Sequence, residues 1–307
     1  MGWKLSDMPT QRGRSAVITG VGGLGYETAL ALAQSGAEVI LAGRSPDKGA
    51  QAMAQIRKAA PDANLAFEVL DLASLASIEA FAGRLAQSRG SLDLLINNAG
   101  VMALPKRQTT ADGFEMQIGT NHLGHFALTG RLLPLLRKAL APRVVSVSSM
   151  AHRNGKIAFD DLQSERRYVP FTAYSQSKMA NLLFAFELQR RSDAAGWGVT
   201  STAAHPGYAY TDLIQNGPGA DSFLSKLNSS ILQRFLGHSA AAGALPTLMA
   251  ATAPTNAGAA YFGPAGFLEM QGPPQPAKIA PYALSEQVAA RLWTVSEALT
   301  GVVFGQG

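Results

Sequence analysis

The 307-residue chain contains no cysteine, which excludes disulfides, thiolate catalysis and cysteine-ligated zinc. Charge is sparse. Asp, Glu, Lys and Arg make up 15% of residues against 47% hydrophobic, a balance that supports a sizeable core and argues against disorder. The 26 basic residues exceed the 21 acidic ones but form no stripe, only short clusters such as Arg166-Arg167 and Arg190-Arg191. No nucleic-acid partner is expected, and the excess reads as a solvated surface with some attraction for anionic cofactors. No apolar run reaches the roughly 18 residues of a spanning helix. Residues 1–14 are polar, with Asp7, Pro9 and three basic residues, unlike a signal peptide or membrane anchor. A cytoplasmic protein is expected. His122, His125, His152 and His205 show no ligand spacing with carboxylates, so no metal site is expected.

What is present is alternation. Short apolar runs at 15–19, 38–42, 64–70, 92–96, 143–147 and 199–204 read as buried strands. Helical patterns at 26–35, 47–59, 74–89, 114–140 and 174–191 separate them. Gly36 is a natural helix stop, and Pro134 should kink or end its segment. The class is therefore α/β: a single-domain, Rossmann-type, doubly wound parallel sheet with helices on both faces, spanning 1–307 after a tail at 1–13. Beyond it, 217–219 reads as a turn. Residues 221–236 form an amphipathic pattern carrying Phe223, Leu224, Leu227, Ile231, Leu232 and Phe235, either ordinary core or a lid within a substrate region at 208–240. The Gly- and Pro-rich stretch 263–276 reads as an irregular loop.

Two constellations carry chemistry. The first is Thr19-Gly-Val-Gly-Gly-Leu-Gly25, a turn from strand to helix. Gly20, Gly22 and Gly25 satisfy G-x-G-x-x-G, and with Gly23 and Leu24 they form a turn that lets backbone approach a pyrophosphate at a helix N-terminus. At the end of the second strand stands Gly43, followed by Arg44 and Ser45, where a carboxylate would select NAD. With no acid to repel a 2′-phosphate and Arg44 available to pair with it, NADP(H) is expected over NAD(H). The second is Tyr174-Ser-Gln-Ser-Lys178. Tyrosine and lysine four residues apart share a helix face. A cation beside a phenol lowers its pKa toward neutrality, which suits proton exchange during hydride transfer.

Together with Asp71, Asn97-Asn98-Ala99-Gly100, Asn121, Ser149 and His205-Pro206-Gly207, these motifs resemble the short-chain dehydrogenase/reductase family over residues 12–303. The branch it most resembles holds the retinol dehydrogenases and the WW-domain oxidoreductase. The stretches that carry this are Thr120-Asn-His-Leu-Gly-His-Phe126, Val147-Ser-Ser-Met-Ala-His152, Phe159-Asp-Asp-Leu-Gln163 and Arg291-Leu-Trp-Thr-Val-Ser296. The resemblance implies Tyr174 as general acid and base. It implies Lys178 on the nicotinamide ribose and lowering the tyrosine pKa with the oxidised ring, Ser149 on the substrate oxygen, and Asn121 supporting a water that relays protons to Lys178. It also places Asp71, with Leu72, at the adenine, Asn98, Ala99 and Gly100 at the adenosine ribose, and Pro206, Gly207, Ala209 and Thr211 at the carboxamide. The chain departs from the family in its glycine turn, one residue shorter than T-G-x-x-x-G-x-G. It lacks the small polar residue usual there and the basic residue of many NADP-preferring members. Ala209 stands where valine is common.

Met150, Tyr168, Tyr208, Tyr210, Leu213 and the 221–236 helix should line a pocket for a lipophilic carbonyl or alcohol. The helix after Tyr174 is apolar nearly all round, so both faces must be buried. One should cover the sheet and the other should meet a partner in a homodimer or homotetramer, unless the segment between Arg153 and Phe171 covers it instead. Two other readings stand beside the oxidoreductase: a dinucleotide-binding redox sensor or scaffold with little turnover, and light-driven reduction of a tetrapyrrole. The retained Tyr174, Lys178, Ser149 and Asn121 argue against the first.

Overall fold

The computed structural model describes residues 2–208, 239–254 and 258–305. One sheet runs in the order β3-β2-β1-β4-β5-β6-β7-β8. Its strands are β1 (Ser15–Thr19), β2 (Glu38–Gly43), β3 (Leu65–Val69), β4 (Leu94–Asn97), β5 (Arg143–Val147), β6 (Thr200–Ala204), β7 (Tyr261–Pro264) and β8 (Pro274–Pro276). The first seven are parallel and β8 is antiparallel to β7. The helices are α1 (Gly23–Gln34), α2 (Pro46–Ala59), α3 (Leu75–Ser88), α4 (Met116–Ile118), α5 (Gly124–Leu136), α6 (Pro170–Ala195), α7 (Ala240–Thr252) and α8 (Glu286–Thr300), with a π-helical turn, Gly119–Leu123, joining α4 to α5.

The pleat sends alternate side chains to opposite faces. Ala16 and Ile18 of β1 pack with Leu32 of α1, Ile56 of α2 and Leu248 of α7. Val17 packs on the other side with Phe81 of α3, Phe126 of α5 and Phe184 of α6. Two helical layers thus bury both faces, which is why the strands read as unbroken apolar runs. Local signals set the helix ends. Ser45 and Ser74 accept from the Lys48 and Ser77 N–H groups to cap α2 and α3. Gly196 ends α6 in the left-handed region, φ +62°.

Three expectations are corrected. Residues 263–276 are a loop only in part: 265–273 connect the strands through a 3₁₀ turn, Phe267–Glu269, while the stretch also holds the end of β7 and all of β8. Proline lacks a ladder donor, and Pro274 and Pro276 are accommodated because β8 is the edge strand. The pattern at 114–140 is broken by the π turn and ends at Leu136, two residues after Pro134. The face of α6 assigned to a partner subunit is covered within the chain. Every residue from 173 to 188 is buried, under Ile157 and Leu162 of the preceding segment and Leu292 of α8. Trp293 stacks on Phe184 with ring centroids 5.7 Å apart, and Phe304 packs 4.4 Å from Trp293. No helix among the described residues is long and apolar enough to cross a membrane.

Candidate active site

The strand order reverses between β1 and β4, and the carboxyl ends of the strands open there into a crevice, the usual ligand position in such sheets. A cavity of about 1130 Å³ follows this edge. Its walls include Gly20, Gly22, Gly23, Leu24, Arg44, Ser45, Asp71, Leu72, Asn98, Ala99 and Gly100, and at the far end Ser149, Tyr174, Lys178, Pro206 and Gly207. Sequence-predicted residues more than a hundred positions apart therefore share one wall. Ala209, Thr211, Tyr210, Leu213 and the 221–236 pattern lie outside the described residues.

The turn fits a dinucleotide in its own geometry. Gly20 takes φ +90° and Gly23 φ +50°, positions glycine occupies without strain. A Cβ on Gly25 would meet the Gly20 carbonyl, so Gly25 is buried behind the turn and supports it without lining the cavity. The N-terminus of α1 has no capping side chain, and no acid stands in its first turn. The first N–H groups of such a helix and its positive dipole end suit an anion. Thr19 latches the turn to the loop after β4: its hydroxyl accepts from the Asn98 and Ala99 N–H groups, both at 2.9 Å, while Asn98 Nδ2 donates to the Thr19 carbonyl at 2.7 Å. Asp71 accepts from the Ala73 N–H at 3.0 Å. Arg44 is exposed at the rim, with Lys48 of α2 beside it. Lys48 has no motif to mark it, although its spacing from the capping Ser45 would have placed it on that rim.

At the other end α6 presents Tyr174 and Lys178, both buried, to the cavity. Lys178 Nζ lies 5.7 Å from the centre of the Tyr174 ring and donates to the Val147 carbonyl at 3.1 Å. Ser149 lines the cavity with Tyr174 and favours the ionised phenol, and it accepts from the Ala151 N–H at 3.2 Å. Its neighbour Ser148 is committed elsewhere, donating to the Lys178 carbonyl at 2.7 Å. The expected lowering of the tyrosine pKa is not found. Burial pushes Tyr174 up to about 12 against the opposing Ser149 hydrogen bond, and pushes Lys178 down to about 8. Desolvation of both groups outweighs a cation that faces the ring without bonding the hydroxyl.

Asn121 sits in the π turn and touches the site through its neighbours. Its side chain accepts from the Val101 N–H at 2.8 Å and donates to the Val101 carbonyl and to Ser177 Oγ, each at 2.9 Å. The His125 ring bonds the Asn121 carbonyl through Nδ1 and the Thr19 hydroxyl through Nε2, both at 2.9 Å. This joins the π turn to the end of β1. Burial holds His125 at about 4, hence neutral. Tyr168 is corrected: its hydroxyl donates to the Leu104 carbonyl and accepts from Gln117, away from the cavity. Met150 and Tyr208 do line it, joined by Met102, Met116 and a half-exposed Phe171 that sequence reasoning missed.

A doubly wound sheet with a glycine turn and a Ser-Tyr-Lys group at its carboxyl edge is the architecture of one oxidoreductase family, and the chain belongs to it: the family model for short chain dehydrogenase matches residues 14–218. Among its relatives, retinol dehydrogenase 13 of Homo sapiens is 41% identical over 294 residues, 94% of this chain and 85% of that one. The branch is therefore retinol dehydrogenase-like. A solved structure of an uncharacterized protein from Mycobacterium paratuberculosis is 42% identical and covers 99% of both chains, with a TM-score of 0.81. A short chain dehydrogenase of Shigella flexneri complexed with NADP shares the fold at 22% identity and a TM-score of 0.64, covering 83% of this chain and 98% of that one.

Proposed function

We propose that the chain transfers a hydride between NADP(H) and the carbonyl or alcohol group of a lipophilic small molecule. The observation that carries this reading is the single cavity that joins the glycine turn to Ser149, Tyr174 and Lys178. When bound, the nicotinamide dinucleotide supplies or accepts the hydride. The chain supplies the rest. The turn Gly20–Gly25 and the α1 N-terminus would hold the pyrophosphate, and Arg44, Ser45 and Lys48 would meet the adenosine 2′-phosphate. Asp71 and Leu72 would hold the adenine, Asn98, Ala99 and Gly100 the ribose, and Lys178, Pro206 and Gly207 the nicotinamide end. Retention of NADP by a solved protein of the same fold supports the choice of cofactor.

In reduction, Tyr174 gives its proton to the substrate oxygen. Burial keeps that proton in place at neutral pH, so the phenol enters as a donor and the cationic Lys178 steadies the charge left on it. Ser149 holds the same oxygen by a hydrogen bond. Asn121 keeps Val101 and Ser177 in register beside Gly100 and Lys178. Met102, Met116, Met150, Phe171 and Tyr208 make the substrate wall apolar and aromatic, which suits a lipophilic aldehyde, ketone or alcohol over a sugar phosphate. Similarity to a retinol dehydrogenase agrees with that class.

The test is NADPH oxidation with a panel of apolar aldehydes and ketones. Tyr174→Phe should lose about 10²- to 10⁴-fold in kcat while still binding NADPH. Turnover equal to that of the unaltered protein would sink the mechanism.

A further inference from the structure

Behind the cavity, polar groups that the reaction does not use converge on one carboxylate. Glu269 lies in the turn between β7 and β8 and is 6% exposed. Its Oε2 accepts from His205 Nε2 at 3.1 Å and pairs with Arg153, and its Oε1 accepts from the Lys278 N–H at 2.9 Å. Each partner leads to the site. Arg153 sits in the 3₁₀ turn Met150–Asn154, whose capping residue is Ser149. His205 precedes Pro206 and Gly207. Its Nδ1 accepts from the Gly207 N–H at 3.2 Å, so the ring proton must sit on Nε2, facing the carboxylate. The same hairpin holds Tyr208, whose N–H donates to the Met270 carbonyl at 2.8 Å.

The backbone is strained to reach this arrangement. Leu268 at φ +51° and Glu269 at φ +60° are consecutive left-handed residues that carry side chains. Such conformations persist only where the surroundings over-determine them, and they cluster at functional sites. A buried carboxylate needs every donor it has, so the three partners hold one another in place.

We propose that Glu269 is a positioning residue for hydride transfer. Through Arg153 it fixes the segment that carries Ser149, and through His205 it fixes the Pro206–Tyr208 loop. One carboxylate thereby sets the spacing between the group that holds the substrate oxygen and the loop at the nicotinamide end of the cavity. The proposal rests on the hydride-transfer reading above. Glu269→Gln keeps the shape but swaps an acceptor for an N–H donor. If that donor takes the Oε2 position it meets both His205 and Arg153, and the ring must move its proton to Nδ1, where it can no longer accept from Gly207. If it takes the Oε1 position, two donors meet at the Lys278 N–H.

The experiment combines ¹⁵N-histidine NMR with kinetics on the unaltered protein and on Glu269→Gln. The unaltered protein should show His205 protonated on Nε2, with or without cofactor. The variant, left without the carboxylate's charge in either orientation, should lose about ten- to a hundredfold in kcat per folded molecule, with NADPH affinity close to that of the parent. Unchanged kcat overturns the proposal, as does a kcat that falls only in step with the folded fraction. Should Glu269→Gln fail to fold, Arg153→Gln cuts only the arm to Ser149. It must lower kcat with NADPH affinity intact, and full activity there overturns the proposal. If the unaltered protein reduces no carbonyl at all, the hydride-transfer reading fails; the cofactor-free ring signal, read in the same sample, then decides the clamp by itself.

Discussion

The two ends of the cavity lie on one edge of one sheet and are built from different materials. The end proposed for the dinucleotide is mostly main chain: Gly20 and Gly23 in left-handed conformations, the uncapped N-terminus of α1, and the Asn98–Gly100 loop latched to Thr19. Its most specific side chain, Arg44, is exposed. The end proposed for catalysis is side chain: Tyr174 and Lys178, buried, with Ser149 beside the phenol and Ser148 on the helix backbone. Main chain would bind whatever phosphate fits the turn, so that end is specified by what must be missing, a Cβ. The catalytic end is specified by groups whose proton affinities burial has moved.

This contrast can be broken by substitution. The largest effect after loss of the Tyr174 hydroxyl is expected from one methyl group in the backbone-built end. Gly25→Ala drives a Cβ into the Gly20 carbonyl, which should destabilise the protein by about 1–3 kcal/mol and abolish NADPH binding; a thermal melt and a binding titration read both. Tyr174→Phe should spare both quantities, and if the two variants behave alike the contrast is wrong. Arg44→Ala comes next. Losing a charge-assisted contact of about 1.5–3 kcal/mol should weaken NADPH roughly ten- to a hundredfold and leave NADH unchanged. An unchanged ratio would remove Arg44 as the selector.

The smallest effect is in pH. Lys178, lowered to about 8, carries its charge below that pH and loses it as pH rises through it, while Tyr174, raised to about 12, keeps its proton throughout. The rate of carbonyl reduction should therefore fall on the alkaline side of about pH 8 with loss of one proton. A flat kcat profile across pH 8 would contradict the role given to the lysine.

The same contrast explains what could be read from the chain. Local signals were legible: β1 and β5 lie where their apolar runs begin and end, Gly36 follows the end of α1, and the glycine turn and the Tyr174–Lys178 spacing fall where the cavity is. Tertiary packing was not. Burial reversed the shift expected for Tyr174, a balance that no spacing encodes. Tyr168 looked like a pocket aromatic but spends its hydroxyl on Leu104 and Gln117. The prolines of β8 spelled a loop because sequence does not say which strand is the edge. The apolar second face of α6 left two covers open, a partner subunit or the segment between Arg153 and Phe171. The cover proved to be Ile157 and Leu162 of that segment, joined by Leu292 of α8, more than a hundred residues further on. Glu269 is a lone acid in a Gly- and Pro-rich stretch, with nothing nearby in sequence to mark its partners.

On the proposed function, a glycine turn one residue shorter than its family's forms a working dinucleotide site that prefers NADPH. Calorimetric titration of the purified protein with NADPH and, separately, with NADH tests it most directly. Tight NADPH binding with weak NADH binding is the predicted result. Failure to bind either would show that the shortened turn disables the site and would contradict the account at its base.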